Sequence, residues 1–281
     1  MVEVHRRRFP AMGSTAEIIM VGGSDESAAD RAVQRVHELE QRWSRFVETS
    51  EVAAVNRAAG APVVVSDDTL LLVELGRDAW YRTDGRFDPT VLGAVETIGY
   101  TTSFDGVPAE PAPTPPPTGA ADGCASITID RATRTVRLPP GVRFDPGGIG
   151  KGLAADLVGH ELQAADADGG CVNIGGDLRV WGDGPDGGRW RIGAADRTIE
   201  ITDAGVATSG TGRRNWRFDG DVVHHLIDPA TQRSAAHGPG AVTVVAGSAW
   251  KAETYATALM VTAPEVIDRD SRRWGVIAVV A

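Results

Sequence analysis

The stretch FDPGGIGKGLAADL, Phe144 to Leu157, constrains this chain more than any other. Gly147, Gly148, Gly150 and Gly152 fall within six residues, broken only by Ile149 and Lys151, just before a run that reads as helix. Glycine has no Cβ, so this backbone can take unusual dihedrals and lie against a ligand. A helix start offers unpaired N–H donors and a partial positive charge, which suits phosphate. The stretch is not a Walker loop, because Gly152 stands where GxxxxGK[ST] needs Ser or Thr, and it is not GxGxxG. Taken alone, a glycine-rich turn opening a helix is more often structural than a phosphate site. Asp145 at its mouth and the Lys151 point charge favour the phosphate reading.

Around this stretch the pattern reads as α+β. AEIIMV and the residues before it form a strand. Between Glu26 and Phe46, Val33, Val36, Leu39, Trp43 and Phe46 recur at helical steps, with Asp25 as a cap. PVVVS is a short strand, and Ser66 caps a second helix that Gly85 stops. SITIDRATRTVRL reads as a hairpin, and Lys151 to Ala165 as a helix. CVNIGGDLRVWG, RWRIGAA, TIEIT, GVATS and AVTVVAG are strands. SAWKAETYATALMV is an amphipathic helix, and WGVIAVVA closes the chain as a buried strand. Strands outnumber helices and rarely alternate with them, so a doubly wound sheet fits poorly. The expected organisation is one domain over residues 1–281, with a proline-rich surface loop near 107–123.

At 281 residues the chain can bury a proper core, and its net charge of −10 argues against a nucleic-acid binder. Its two cysteines, Cys124 and Cys171, read as buried free thiols of a reducing compartment. No apolar run approaches a membrane span, and no h-region follows the basic N-terminal residues. A cytoplasmic location is therefore expected.

Three further clusters could carry chemistry. Asp88 before Pro89 reads first as a turn. Ser209-Gly210 with Arg213 and Arg214 could bind an anion. The adjacent His224 and His225 would face opposite sides of a strand, one of them inward with Asp228 close in sequence. Glu253 and Thr257, four apart, share one face of a helix. A carboxylate beside a hydroxyl suits Mg²⁺, although most such pairs are ordinary helix surface.

The order of these clusters, with MGST, SRFVETSEVAAVN, GRFDPTV, DPGGIGKG, VNIGGDL, ATSG and HHLIDP followed by an acid-x-x-x-Thr helix, resembles the FAD:protein FMN transferase (ApbE) family over nearly the whole chain. The resemblance implies an ApbE-like, T-fold-like α+β architecture, with mixed sheets flanked by helices and an FAD cleft between subregions. It implies Mg²⁺-dependent transfer of FMN from the substrate FAD to a Ser or Thr hydroxyl of an acceptor flavoprotein. A phosphoester would form and AMP would leave. Family acceptors carry a short motif with an Asp-Gly start.

By the same resemblance Met12, Phe46 and the Arg86-Phe87-Asp88 stretch would grip the flavin. Asp145 and Lys151 match FAD-contacting positions, Ser209 lies in the ATSG motif, and Ile227 or its neighbour Leu226 lines the pocket. The Gly148 carbonyl, Glu253 and Thr257 match the metal ligands. His225 matches the catalytic histidine, and Asp228 either serves in its place or orients it. Three positions depart from the family pattern: Glu253 stands for the usual Asp, Gly212 for a frequent Tyr, and PATQRS lacks a usual glycine. Glu253 and the missing tyrosine support one alternative, a flavin-binding or storage protein; a second is a Mg²⁺-dependent FAD pyrophosphatase, with water replacing the protein hydroxyl at the same metal site.

Overall fold

The computed structural model describes residues 3–23, 25, 27–107, 123–194, 197–212, 214–236 and 238–280. Its framework is a seven-stranded sheet in the order Val4–Ala11, Ser14–Val21, Gly169–Ile174, Asp177–Trp181, Ala204–Gly210, Ala241–Ala246 and Ile277–Val280. Each neighbouring pair is antiparallel. Smaller ladders flank it, including the expected hairpin Thr128–Asp130 with Thr135–Arg137, and a second hairpin, Asn215–Phe218 with Asp221–His224. Except for its two ends, the proline-rich segment expected near 107–123 lies outside the described residues.

Helix Ser27–Trp43 lays Ala28, Ala32, Val36, Leu39 and Trp43 into the core. Each large apolar side chain buried this way contributes about 1.5–3 kcal/mol. The helix stops at Trp43, so Phe46 is not its last core residue: it sits in the following turn, 40% exposed. Asp25, expected to cap this helix, lies two residues before its first turn and accepts from the Ser27 N–H at 3.0 Å. Ser66 caps Asp67–Arg82 by accepting from the Thr69 N–H at 3.3 Å, and Gly85 follows with φ 78°. Three short helices, Glu51–Arg57, Leu92–Thr97 and Ile267–Trp274, were not evident in the sequence pattern. The last strand, expected to be buried, is instead the sheet's outer edge, with Ile277 65% exposed.

Two helices set the site. Gly150–Ala164 and Ala249–Met260 pack against each other, and each caps the other's first turn with a buried carboxylate. Asp156 accepts from the Ala249 and Trp250 N–H groups, both at 2.9 Å. Glu253 accepts from the Gly152 N–H at 2.8 Å. Those first-turn N–H groups have no partner within their own helices, so each carboxylate satisfies orphan donors and complements a helix dipole. The crossing is close because a Cβ on Gly152 would lie 2.5 Å from the Ala249 carbonyl oxygen.

Candidate active site

The sheet ends in two tight turns on one rim. Met12 and Gly13 join the first two strands with φ 50° and 63°, the left-handed pair that a two-residue hairpin requires. Gly175 and Gly176, at 68° and 103°, do the same between Ile174 and Asp177. Beside these turns lies a cleft of about 1040 Å³, lined also by the glycine-led helix start, the late helix and the His225 to Ile227 segment. That size matches the upper range of small-molecule and cofactor sites.

Its polar floor is a cluster of opposed charges. The Lys151 ammonium pairs with Asp177 and, at 2.9 Å, with Glu253. Both carboxylates are 3% exposed, so two buried anions share one cation. Burial works against the Lys151 charge, but Asp177 and Glu253 outweigh it and hold its pKa above the ordinary lysine value. Burial pushes Glu253 well above the carboxylate range; Lys151 and the Gly152 N–H oppose this, and the Asp177 charge adds to it. Thr257 projects from the same helix one turn on, and its hydroxyl lies 3.3 Å from that of Ser209. A Cβ on Gly148 would lie 3.3 Å from the Thr257 hydroxyl and 3.0 Å from the Phe87 ring, so main chain, carboxylate and hydroxyl converge on one wall.

The other expected residues are placed unevenly. Met12 lines the cleft, its N–H held by Glu40 at 2.7 Å. Phe46 lines it at the rim. Asp145 also lines it, accepting from the Gly147 N–H at 2.9 Å and facing Arg45 at 3.8 Å. Arg86 borders the cleft but is tied to buried Asp270 at 2.7 Å. Phe87 is buried beneath Gly148. Asp88 borders the cleft too, but its carboxylate closes its own turn on the Thr90 N–H at 2.7 Å; burial raises its pKa. Ile227 is a buried wall residue, with Leu226 beside it. Asp228 does not join the wall: its carboxylate accepts from the Ala230 N–H at 2.9 Å, which fixes the turn after the short strand Ile227–Asp228. Arg213 lies outside the described residues.

His225 reaches the cleft from just beyond the hairpin strand. Its Nδ1 is 3.4 Å from the Arg214 carbonyl. A carbonyl only accepts, so Nδ1 donates and Nε2 keeps its lone pair. Burial first, then the Arg214 charge, pushes its pKa down to about 3, not to the near-neutral value expected of the sequence motif. His224 instead turns its Nε2 to the Ala235 carbonyl at 3.0 Å. The unfolded chain protonates His225 near pH 6.5 and the folded one only near 3, so the unfolded state binds more protons in that window. Stability is therefore lost as the pH drops through that window, by up to about 1.4 kcal/mol per unit from this group. In urea titrations His225→Gln should lose less stability than the parent between pH 6.5 and 5. Parallel losses in the two proteins would contradict this assignment.

Across residues 12–275 the chain matches the model of the ApbE family. The chain belongs to the ApbE family. Among its ApbE relatives, the FAD:protein FMN transferase of Vibrio cholerae is 30% identical over 275 residues, spanning 91% of this chain and 80% of that protein. The FAD:protein FMN transferase of Salmonella typhimurium is 28% identical over 285 residues, 94% of this chain and 80% of that protein. The crystal structure of the ApbE protein of Thermotoga maritima superposes with a TM-score of 0.86 at 26% identity, covering 99% of this chain and 94% of that one. The apo flavinyl transferase ApbE of Pseudomonas stutzeri gives 0.84 at 28%, covering 100% and 92%. The family thus carries the expected α+β architecture, and the chain is an enzyme of the transferase class.

Several ApbE-site features escaped the sequence reading. Arg45 stacks over Phe46 at 4.2 Å and over Tyr100 at 4.7 Å, and donates to the Tyr100 carbonyl at 3.0 Å. Tyr100 in turn meets Phe104 and Trp216 at 6.2 and 5.6 Å. Asp177 was visible inside VNIGGDL, yet only the fold reveals Lys151 as its partner.

Proposed function

We propose that this chain transfers the FMN moiety of FAD to a Ser or Thr hydroxyl of an acceptor flavoprotein, with release of AMP. The observation that carries the reading is the convergence of Gly148, Lys151, Glu253 and Thr257 on one wall of the cleft that His225 enters. The Vibrio and Salmonella relatives are named FAD:protein FMN transferase.

A divalent cation fits the residues present. Two buried carboxyl groups share one ammonium, and the donors beside them are hard oxygens. Among the described residues no three His, Cys, Asp or Glu side chains gather as a metal site, so the set would be of the mixed kind that Mg²⁺ accepts. Glu253, Thr257 and the Gly148 carbonyl would hold Mg²⁺, which supplies charge neutralisation at the diphosphate. Lys151 and the glycine-led backbone position the diphosphate. The acceptor oxygen attacks the FMN-side phosphorus, and the P–O bond to AMP breaks with its electron pair leaving on AMP. The hydroxyl proton passes to His225 Nε2, which is neutral at pH 7, and the incoming phosphate charge offsets Arg214 and strengthens this base. The acceptor is expected to present its hydroxyl in an Asp-Gly-type segment. No helix among the described residues is long and apolar enough to cross a membrane.

The test is to incubate the protein with FAD, Mg²⁺ and an acceptor flavoprotein, then weigh the acceptor. A gain of one FMN, abolished by replacing the acceptor hydroxyl residue with Ala, is expected. Free FMN and AMP without that gain would point to a pyrophosphatase. Intact FAD would point to storage.

A further inference from the structure

We propose that Asp177 is a positioning residue: by holding the Lys151 ammonium, it leaves Glu253 free to take the divalent cation. This rests on the transferase reading, because it concerns the cation that reading requires. Lys151 touches both carboxylates, and both are buried. A cation arriving at Glu253 meets the ammonium as a like charge. With Asp177 present, Lys151 keeps a full partner after giving up Glu253, and its charge stays at the floor of the cleft beside the diphosphate position. Without Asp177, the lysine has only Glu253, and cation and ammonium compete for one carboxylate. The geometry favours this division of roles. Glu253 keeps its Oε2 on the Gly152 N–H and meets Lys151 through Oε1 alone, so releasing the lysine leaves its carboxylate oriented. Asp177 is placed from the other side, by the Gly175–Gly176 turn at the start of its strand. The two anions thus come from separate elements, and the lysine spans them.

Mn²⁺ binding to the FAD-free full chain, followed by titration calorimetry, tests this without turnover. An opposite charge at such range shifts an equilibrium by one to three decades. Asp177→Asn, which keeps the side chain's shape, should weaken Mn²⁺ binding roughly tenfold or more. Adding Lys151→Met to that variant should restore it, a rescue that a merely structural role of Asp177 would not produce. Lys151→Met alone should bind Mn²⁺ more tightly than the parent, and this variant carries the test if Asp177→Asn does not fold. Parent-like affinity in Asp177→Asn, or no gain in Lys151→Met, would overturn the proposal. Absence of Mn²⁺ binding in every protein, with and without FAD, would instead remove the cation reading beneath it.

Discussion

Gly152→Ala is expected to be among the most damaging single-methyl substitutions in this protein. The added Cβ would lie 2.5 Å from the Ala249 carbonyl oxygen, 2.6 Å from its carbon and 2.8 Å from the Trp250 nitrogen. All three are backbone atoms, so no side chain can swing aside. They also belong to the first turn that Asp156 caps, and Gly205 on the neighbouring strand crowds Ala249 from the other side. The helices must separate, which stretches the Gly152 bond to Glu253 and opens the Gly148 to Thr257 approach. Overpacking of this kind costs about 3 kcal/mol, or roughly 5–10 °C in Tm for a chain of this size. Activity should fall further than stability, because the displaced pair is the site itself. A calorimetric scan giving the parent Tm would contradict this packing.

Glu253→Ala and Thr257→Ala are expected to lower turnover roughly 100- to 1,000-fold at ordinary Mg²⁺, the range for removing one group that stabilises transition-state charge. Glu253→Ala also strands the Gly152 N–H and leaves Lys151 to Asp177 alone. Glu253→Gln separates the two effects: its amide oxygen can still accept from Gly152, but its charge is gone. It should fold like the parent and still lose turnover, with partial recovery at high Mg²⁺. Steady-state rates of AMP release measure this, and unchanged rates in Glu253→Gln and Thr257→Ala together would place the cation elsewhere.

Much of this was legible in the sequence where the cause is local. The glycine-led helix, the Ser66 cap and the hairpin at Thr128–Arg137 follow from spacing and short-range hydrogen bonds. The Glu253–Thr257 face followed from helix period alone. Features set by distant partners were not legible. Glu51–Arg57 has seven residues, too few for a periodic stripe, although Ser50 caps it at 3.0 Å. Ile277–Val280 reads as apolar, and only the sheet order makes it an edge. Phe46 falls on the helical period of Val36 and Trp43, but the helix ends before it, which frees the ring for the rim. Asp228 sits near His225 in sequence, yet the turn takes its carboxylate. Arg45 finds Tyr100 and Lys151 finds Asp177 and Glu253 across stretches that no local pattern spans.

The most direct test of the account is the anomalous diffraction of a crystal soaked with FAD and Mn²⁺. The prediction is one Mn²⁺ peak in contact with the Glu253 carboxylate and the Thr257 hydroxyl, with the FAD diphosphate beside it and beside Lys151. A diphosphate bound away from Lys151, or Mn²⁺ found only outside this cleft, would contradict it.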